Sequence, residues 1–164
     1  MSVYAEEKLI GQARLLAAEY RRTMGKPLPG ISSEIALHDA IRLLSLRPAD
    51  GACGGIDAID PKRGDKNIQI KSRTIFDETK SGQRIGQLNV EQAWDSVLLV
   101  LMDEEYEPYE IYEAERGELL EFMQKSSSGR AKRGALSVAR FKIIGTLVWA
   151  RDGGLEPEVW DNQA

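Results

Sequence analysis

The sequence is poor in the residues that staple small folds or hold soft metals. It has one cysteine, Cys53, and one histidine, His38. A single thiol forms no internal disulfide, and a zinc site of the cysteine/histidine kind takes about four such ligands, so neither device holds this chain together. Any metal has to be an oxygen-liganded one such as Mg²⁺. Aromatic residues make up only 7% of the 164 residues. Trp94, Trp149 and Trp160 show no stacking pattern, and the first two are read as packing residues. No G-x-x-x-x-G-K-[ST] loop is present, which argues against a nucleoside triphosphatase. Nor is there a run near the ~18–20 apolar residues of a membrane span. The opening M-S-V-Y-A-E-E-K-L-I-G-Q carries charges where a secretory signal has its apolar stretch. The expected setting is the cytoplasm, with no membrane partner.

What is present is enough for one domain with a real core. The chain is 42% apolar and 29% charged, with a net charge of -4, and its length suits a single unit over 1–164. The acidic average hides a segregation. Lys62 to Arg84 holds seven basic and three acidic residues, and Lys125 to Lys142 holds six basic and no acidic ones. Asp103 to Glu121 holds nine acids and only Arg116. Two basic tracts of this kind suit a phosphate backbone, with the acidic tract facing away; the competing reading is that each tract is a solvated surface.

Apolar spacing predicts an amphipathic helix over 3–24, with Leu9, Ala13, Leu16 and Tyr20 on one face. After Gly25, Pro27, Pro29 and Gly30, a second helix is predicted from Ser33 to about Leu46, with Ser32 as its N-cap. Pro48 and the glycines of G-A-C-G-G end it. The period then changes to two: Ile56 and Ala58 alternate with Asp57, and Ile68 and Ile70 alternate with Gln69 and Lys71, giving two strands joined by a polar turn. Phe76 to Gln92 reads as loop, then helix. Val97 to Met102 is an unbroken apolar run that suits a central strand buried on both faces. Tyr109 and Ile111, a helix from about Ala114 to Lys125, a flexible basic loop over 126–134, and a helix and strand over 135–150 complete the order, with a surface turn from Gly153. Such mixing implies an α/β fold, a sheet with helices on its faces.

The chemistry is concentrated between residues 56 and 73. Gln69 and Lys71 share one face of their strand, and if the two strands pair as a hairpin, Asp57 joins them. One carboxylate, one amide oxygen and one ammonium at a single spot is what phosphodiester hydrolysis asks for: oxygen ligands for Mg²⁺ and a cation to offset developing charge. Glu34, near the start of the second helix, can lean over the same spot. On pattern alone, these polar residues are equally the outer face of a half-exposed strand. His38, one turn after Glu34, is read as a surface or Glu34-paired histidine, with a substrate contact as the alternative, and Cys53 as structural.

The stretch G-G-I-D-A-I-D followed by I-Q-I-K-S resembles the core motif of the PD-(D/E)XK nuclease superfamily, whose order is a helix carrying an acid, a strand with Asp, a strand with (D/E)xK, a helix and a strand. The Gln-for-acid variant after G-G-I-D looks like the catalytic domain of Mrr-type restriction enzymes. The D-A-x-D and x-K-S pieces, with I-Y-E-A-E-R, also look like a small homodimeric type II restriction endonuclease. The resemblance spans roughly Ile31 to Phe122. It implies a restriction-endonuclease-like mixed sheet flanked by helices, with the nuclease core over about 31–125. It makes Asp57 the metal-binding acid, with Asp60 a competing candidate, and Lys71 the catalytic lysine. Gln69 stands where most members have Asp or Glu, the Ile70 carbonyl completes the metal shell, and Glu34 matches the helix acid.

The implied activity is a Mg²⁺-dependent DNA endonuclease of restriction or defence type, with Mn²⁺ as a substitute metal, double-stranded DNA as substrate and a homodimer formed through the N-terminal helix. Arg73, Lys80, Arg84, Arg130, Lys132 and Arg133 are the expected nucleic-acid contacts. The departure is Gln69: an amide oxygen brings no negative charge, which weakens metal binding and puts a two-metal mechanism in doubt. The rival readings are a nuclease-fold module that binds nucleic acid or protein without catalysis, and a regulatory or immunity partner that uses the acidic tract.

Overall fold

A computed structural model of the chain describes residues 2–80 and 82–155, the side chains of 51–53 and 154–155 excepted. Helix α1 (Val3–Met24) begins where the Ser2 hydroxyl accepts the Ala5 N–H at 3.2 Å, and ends at Gly25, whose left-handed φ of 73° lets its N–H return to the Arg21 carbonyl. Helix α2 (Ile31–Leu44) starts two residues earlier than its pattern predicts. Gly30 occupies the cap at φ 82° with no side-chain capping bond, and Ser33 donates back to the Gly30 carbonyl at 3.1 Å. Ser32 is thus inside the helix.

Six strands pair in chain order: β1 (Arg47–Cys53), β2 (Ile56–Asp60), β3 (Lys66–Thr74), β4 (Ser96–Met102), β5 (Pro108–Glu115) and β6 (Thr146–Ala150), extended by the two-residue β7 (Gly154–Leu155). Only β3 and β4 run parallel, so the open sheet is mixed. A 3-10 turn at Pro61–Arg63 joins β2 to β3, and helices α3 (Arg116–Lys125), α4 (Gly129–Lys132) and α5 (Val138–Ile144) complete the chain. This is the α/β architecture expected, a central mixed sheet flanked by helices, and it is consistent with a restriction-endonuclease-like fold.

Strand β4 organises the two cores. All seven of its residues are buried. Leu98, Val100 and Met102 pack with Ile35, Ala36 and Ala40 of α2 and with Ala17 and Ala18 of α1; Val97, Leu99 and Leu101 pack with Leu119, Phe141 and Trp94 on the other side. Each such aliphatic side chain contributes about 1.5–3 kcal/mol relative to exposure, which is why an unbroken apolar run sits at the centre. Below α1, the fully buried Asp39 of α2 receives both Arg14 Nη atoms, at 2.9 and 3.1 Å. Trp94 is buried as expected, and its indole N–H donates to the Asn89 carbonyl at 2.9 Å. Trp160 lies outside the described residues, as does the side chain of Cys53.

Four features depart from the sequence reading. Residues 47–53 form strand β1 rather than a loop; a proline is tolerated there because β1 is an edge strand, paired only with β2. The crossover from β3 to β4 contains no helix among its described residues. It runs as an extended path fastened by Ile85 N–H to Leu136 O, Leu88 N–H to Gly134 O and Val138 N–H to Gln83 O, so backbone bonds to the 134–138 segment replace helical ones. The 126–134 segment is not a plain loop either, since α4 seats the buried Ala131 in the second core. Finally, Leu9 and Leu16 are exposed, and α1 is anchored instead by Ala17, Ala18 and Ile10. Among the described residues, no helix is long and apolar enough to cross a membrane.

Candidate active site

Strands β2 and β3 form a ladder from Asp60↔Lys66 to Ala58↔Ile68. One step further in this register, Asp57 faces Gln69 across the strands, and the ladder gives way to a side-chain bond: the Ile70 N–H donates to Asp57 Oδ2 at 2.8 Å. A backbone donor that a neighbouring strand would normally take is thus used to hold a carboxylate. Gln69 and Lys71 project from the same face as Asp57, the face opposite to Ile68 and Ile70, which pack toward α2. The three residues thus share one sheet face, without Glu34.

Each member is held by tertiary contacts. Gln69 is 6% exposed; its Nε2 donates to Gln92 Oε1 at 3.2 Å, while its own Oε1 is buried without a partner. An acceptor left in that state costs roughly 1–3 kcal/mol, so Oε1 is poised for a donor or a cation. The Lys71 ammonium donates to the Gln87 carbonyl at 3.3 Å. Burial pushes its pKa below the ordinary lysine value, and the nearby Asp57 carboxylate opposes that shift. Two glycines make room: a Cβ on Gly86 would come within 3.5 Å of Lys71 Nζ, and one on Gly55, at φ 84°, would collide with the Gln92 side chain.

Asp60 is decided by the same geometry. It shares the opposite face with Ala58, is 4% exposed, and accepts from Arg63 Nε at 2.6 Å and from the Lys62 N–H at 2.9 Å. Arg63 continues to Glu113 of β5, at 2.8 and 3.0 Å, and Ser96 donates to the same carboxylate at 2.7 Å. Asp60 belongs to this structural network and not to the Asp57 cluster. Glu34 is exposed on α2, the layer that covers the Ile68 and Ile70 face, so it stands on the other layer from Asp57, Gln69 and Lys71. His38 is partly buried on the same helix. Among the described residues, no group of three or more histidine, cysteine, aspartate or glutamate side chains is arranged to hold a metal ion. The oxygen donors present are one carboxylate and the orphaned amide, a sparse set that fits Mg²⁺ with water completing its shell.

The chain matches no protein-family model and no curated protein.

Ion pairing redistributes the charge that the sequence segregates. Seven of the nine acids of the 103–121 tract are ion-paired, with Arg14, Arg22, Arg63, Lys66, Lys125, Lys142 and Arg151. They do not form a separate acidic side. Arg73, Lys80, Arg84, Arg130, Lys132 and Arg133 enter no ion pair among the described residues, and all but Arg84 are exposed. Arg84 spends one Nη on the Ala135 carbonyl at 2.9 Å and bridges to Ser137, which joins the two basic tracts. Lys71 sits on Gln87, and Leu88 is stitched to Gly134, next to Arg133. Sequence reasoning missed Gln87 and Gln92, and read Gly55 only as part of G-G-I-D. Neither glutamine carries a local signal, because each matters only through a residue distant in the chain.

Proposed function

We propose that this chain is a Mg²⁺-dependent DNA endonuclease of restriction or defence type, with Mn²⁺ as a substitute metal. The observation that carries the reading is the buried, unpartnered Gln69 Oε1, set on one sheet face with the Asp57 carboxylate and a lysine of lowered pKa. Asp57 and Gln69 would hold the ion, with the Ile70 carbonyl as a third oxygen; Glu34, on the other layer of the sheet, takes no part. Bound there, the ion would supply Lewis-acid polarisation of the phosphodiester and a more acidic water. Lys71, held by Gln87, would orient the scissile phosphate and offset the negative charge that grows as the water oxygen bonds to phosphorus and the P–O bond to the leaving strand breaks. Arg73, Lys80, Arg84, Arg130, Lys132 and Arg133 would hold the duplex backbone through contacts that weaken steeply with salt. One such site cuts one strand, so a double-strand cut calls for a homodimer. The exposed Leu9, Leu15 and Leu16 of α1 are the apolar surface for it. The cytoplasm is the compartment this reading implies.

The second reading, a nuclease-fold module that binds nucleic acid or protein without cutting, is favoured by the single carboxylate of the cluster. Supercoiled and linear duplex DNA, incubated with the protein and Mg²⁺ or Mn²⁺, separates the two. Wild type should nick or cut; Asp57→Ala and Lys71→Ala should each slow cleavage by about 10²–10⁴-fold, and Glu34→Ala should cut like wild type. Cleavage that survives both main substitutions would sink the site. Absent cleavage with salt-sensitive binding, weakened in Lys132→Ala/Arg133→Ala, would establish the module instead.

A further inference from the structure

Arg116 is the only basic residue of the 103–121 tract, among nine acids, yet it enters no ion pair among the described residues. Its guanidinium goes to backbone carbonyls instead. Nη1 donates to the Gln92 and Trp94 carbonyls, each at 2.8 Å, and Nη2 donates to the Val90 carbonyl. The Arg116 N–H adds the Asp95 carbonyl at 2.9 Å, and the guanidinium lies over the buried Trp94 ring, 4.5 Å from its centroid. The rigid fork of an arginine suits such a grip, because its donors point in several fixed directions at once.

The gripped segment has no ladder of its own. Residues 89–95 make turns but no helix or strand, so their backbone groups need partners from elsewhere. The Trp94 indole bonds to the Asn89 carbonyl, and Asp95 Oδ2 accepts the Asn67 N–H at 2.9 Å, which fastens the far end to β3. Arg116 fastens the middle, where Gln92 stands. The Gln92 carbonyl is on Arg116, and its side-chain Oε1 accepts from Gln69 Nε2 at 3.2 Å. That side chain also rests on Gly55, where a Cβ would collide with it. With Nε2 committed to Gln92, the Gln69 carboxamide has one orientation, and Oε1 is the atom left outside the bond. An arginine at the start of α3 thereby sets a side chain on β3 through one intervening residue.

We propose that Arg116 is a positioning residue for the cluster of Asp57, Gln69 and Lys71: it holds the 90–94 segment so that Gln92 fixes the Gln69 carboxamide with its oxygen left for a divalent cation. Arg116 itself touches neither the cation nor DNA. The orientation of Gln69 stands on the contacts above, while the use of that orientation for a cation rests on the nuclease reading. Loss of an outer contact of this kind costs about 10–100-fold in metal affinity.

Two readouts test it, on Gln92→Leu, Gln92→Glu, Arg116→Met and Arg116→Lys, at a temperature where circular dichroism shows each variant folded. The first needs no metal: hydrogen exchange of the Gln69 side-chain amide by NMR, its signal identified by its absence in Gln69→Glu. Gln92→Glu keeps the acceptor and should exchange as slowly as wild type, whereas Gln92→Leu and Arg116→Met should exchange on the order of tenfold faster. The second is Mn²⁺ binding, read from the electron paramagnetic resonance signal of the free ion. Gln92→Leu and Arg116→Met should bind about 10–100-fold more weakly, and Gln92→Glu at least as tightly as wild type. Should Arg116→Met fail to fold, Arg116→Lys carries the same test, since an ammonium cannot reach the three carbonyls together. Gln69 exchange unchanged in the Arg116 variants would overturn the proposal, and so would wild-type Mn²⁺ binding that neither Gln92→Leu nor the Arg116 variants weaken. Faster Gln69 exchange in a protein whose wild type binds no Mn²⁺ would keep Arg116 as the residue that orients Gln69 and strike the nuclease reading instead.

Discussion

Arg63 joins two carboxylates that have almost no water of their own, and its removal should be strongly destabilising. Its Nε lies 2.6 Å from Asp60, and its two Nη atoms lie 2.8 and 3.0 Å from Glu113. The side chains of Asp60 and Glu113 are 6% and 8% exposed, against 34% for Arg63. Arg63→Ala would leave two buried anions without their cation. Breaking such a pair costs roughly 3–5 kcal/mol. Because a third of Arg63 stays in water, the lower end applies, about 3 kcal/mol, or a fall in melting temperature of about 6–12 °C for a domain of this size. Thermal and urea unfolding followed by circular dichroism would measure it. Arg63→Lys should lose an intermediate amount, since an ammonium cannot bridge both carboxylates in parallel. The triple change Arg63→Met, Asp60→Asn and Glu113→Gln should recover most of the loss by removing the charges together. A loss below about 0.5 kcal/mol would refute the reasoning.

Gly55→Ala should cost about 1–3 kcal/mol through its left-handed backbone. It should also disturb the active cluster, because the added Cβ displaces Gln92 from Gln69; metal-dependent thermal shifts compared with wild type would register that second effect. The lowered pKa of Lys71 has its own signature. Between the folded value and the ordinary lysine value of 10.5, the unfolded chain holds more protons, so stability should rise with pH across that alkaline window. Lys71→Met should abolish this rise, measured as unfolding free energy against pH, and a wild-type profile that is flat or falling there would contradict the burial of the ammonium.

The strand periods of β2, β3 and β4 were legible in the sequence because alternation and unbroken apolarity are local consequences of which face a strand buries. Asp57, Gln69 and Lys71 followed from the same alternation, since residues two apart share a face whatever the rest of the chain does. Strand β1 was not legible. Its proline and glycines oppose a strand, and it becomes one only because β2 offers an edge to pair with. The helix expected between β3 and β4 failed for a related reason: the 134–138 segment, some fifty residues downstream, takes the hydrogen bonds that a helix would have made internally.

The sequence by itself determined that Gln69 and Lys71 share a strand face, and that a central strand would be dry on both faces. Only the tertiary structure decided between Asp57 and Asp60, because it gave Asp60 to Arg63 and Glu113 and left Asp57 on the Ile70 N–H. It also decided what the charge tracts mean. Ion pairing depends on which side chains meet across the fold, so most of the acidic tract is consumed by cations from seven different places, while the six expected nucleic-acid contacts enter no ion pair among the described residues. The orphaned oxygen of Gln69 belongs to the same class of fact: burial and the absence of a partner are properties of packing, which no local pattern encodes.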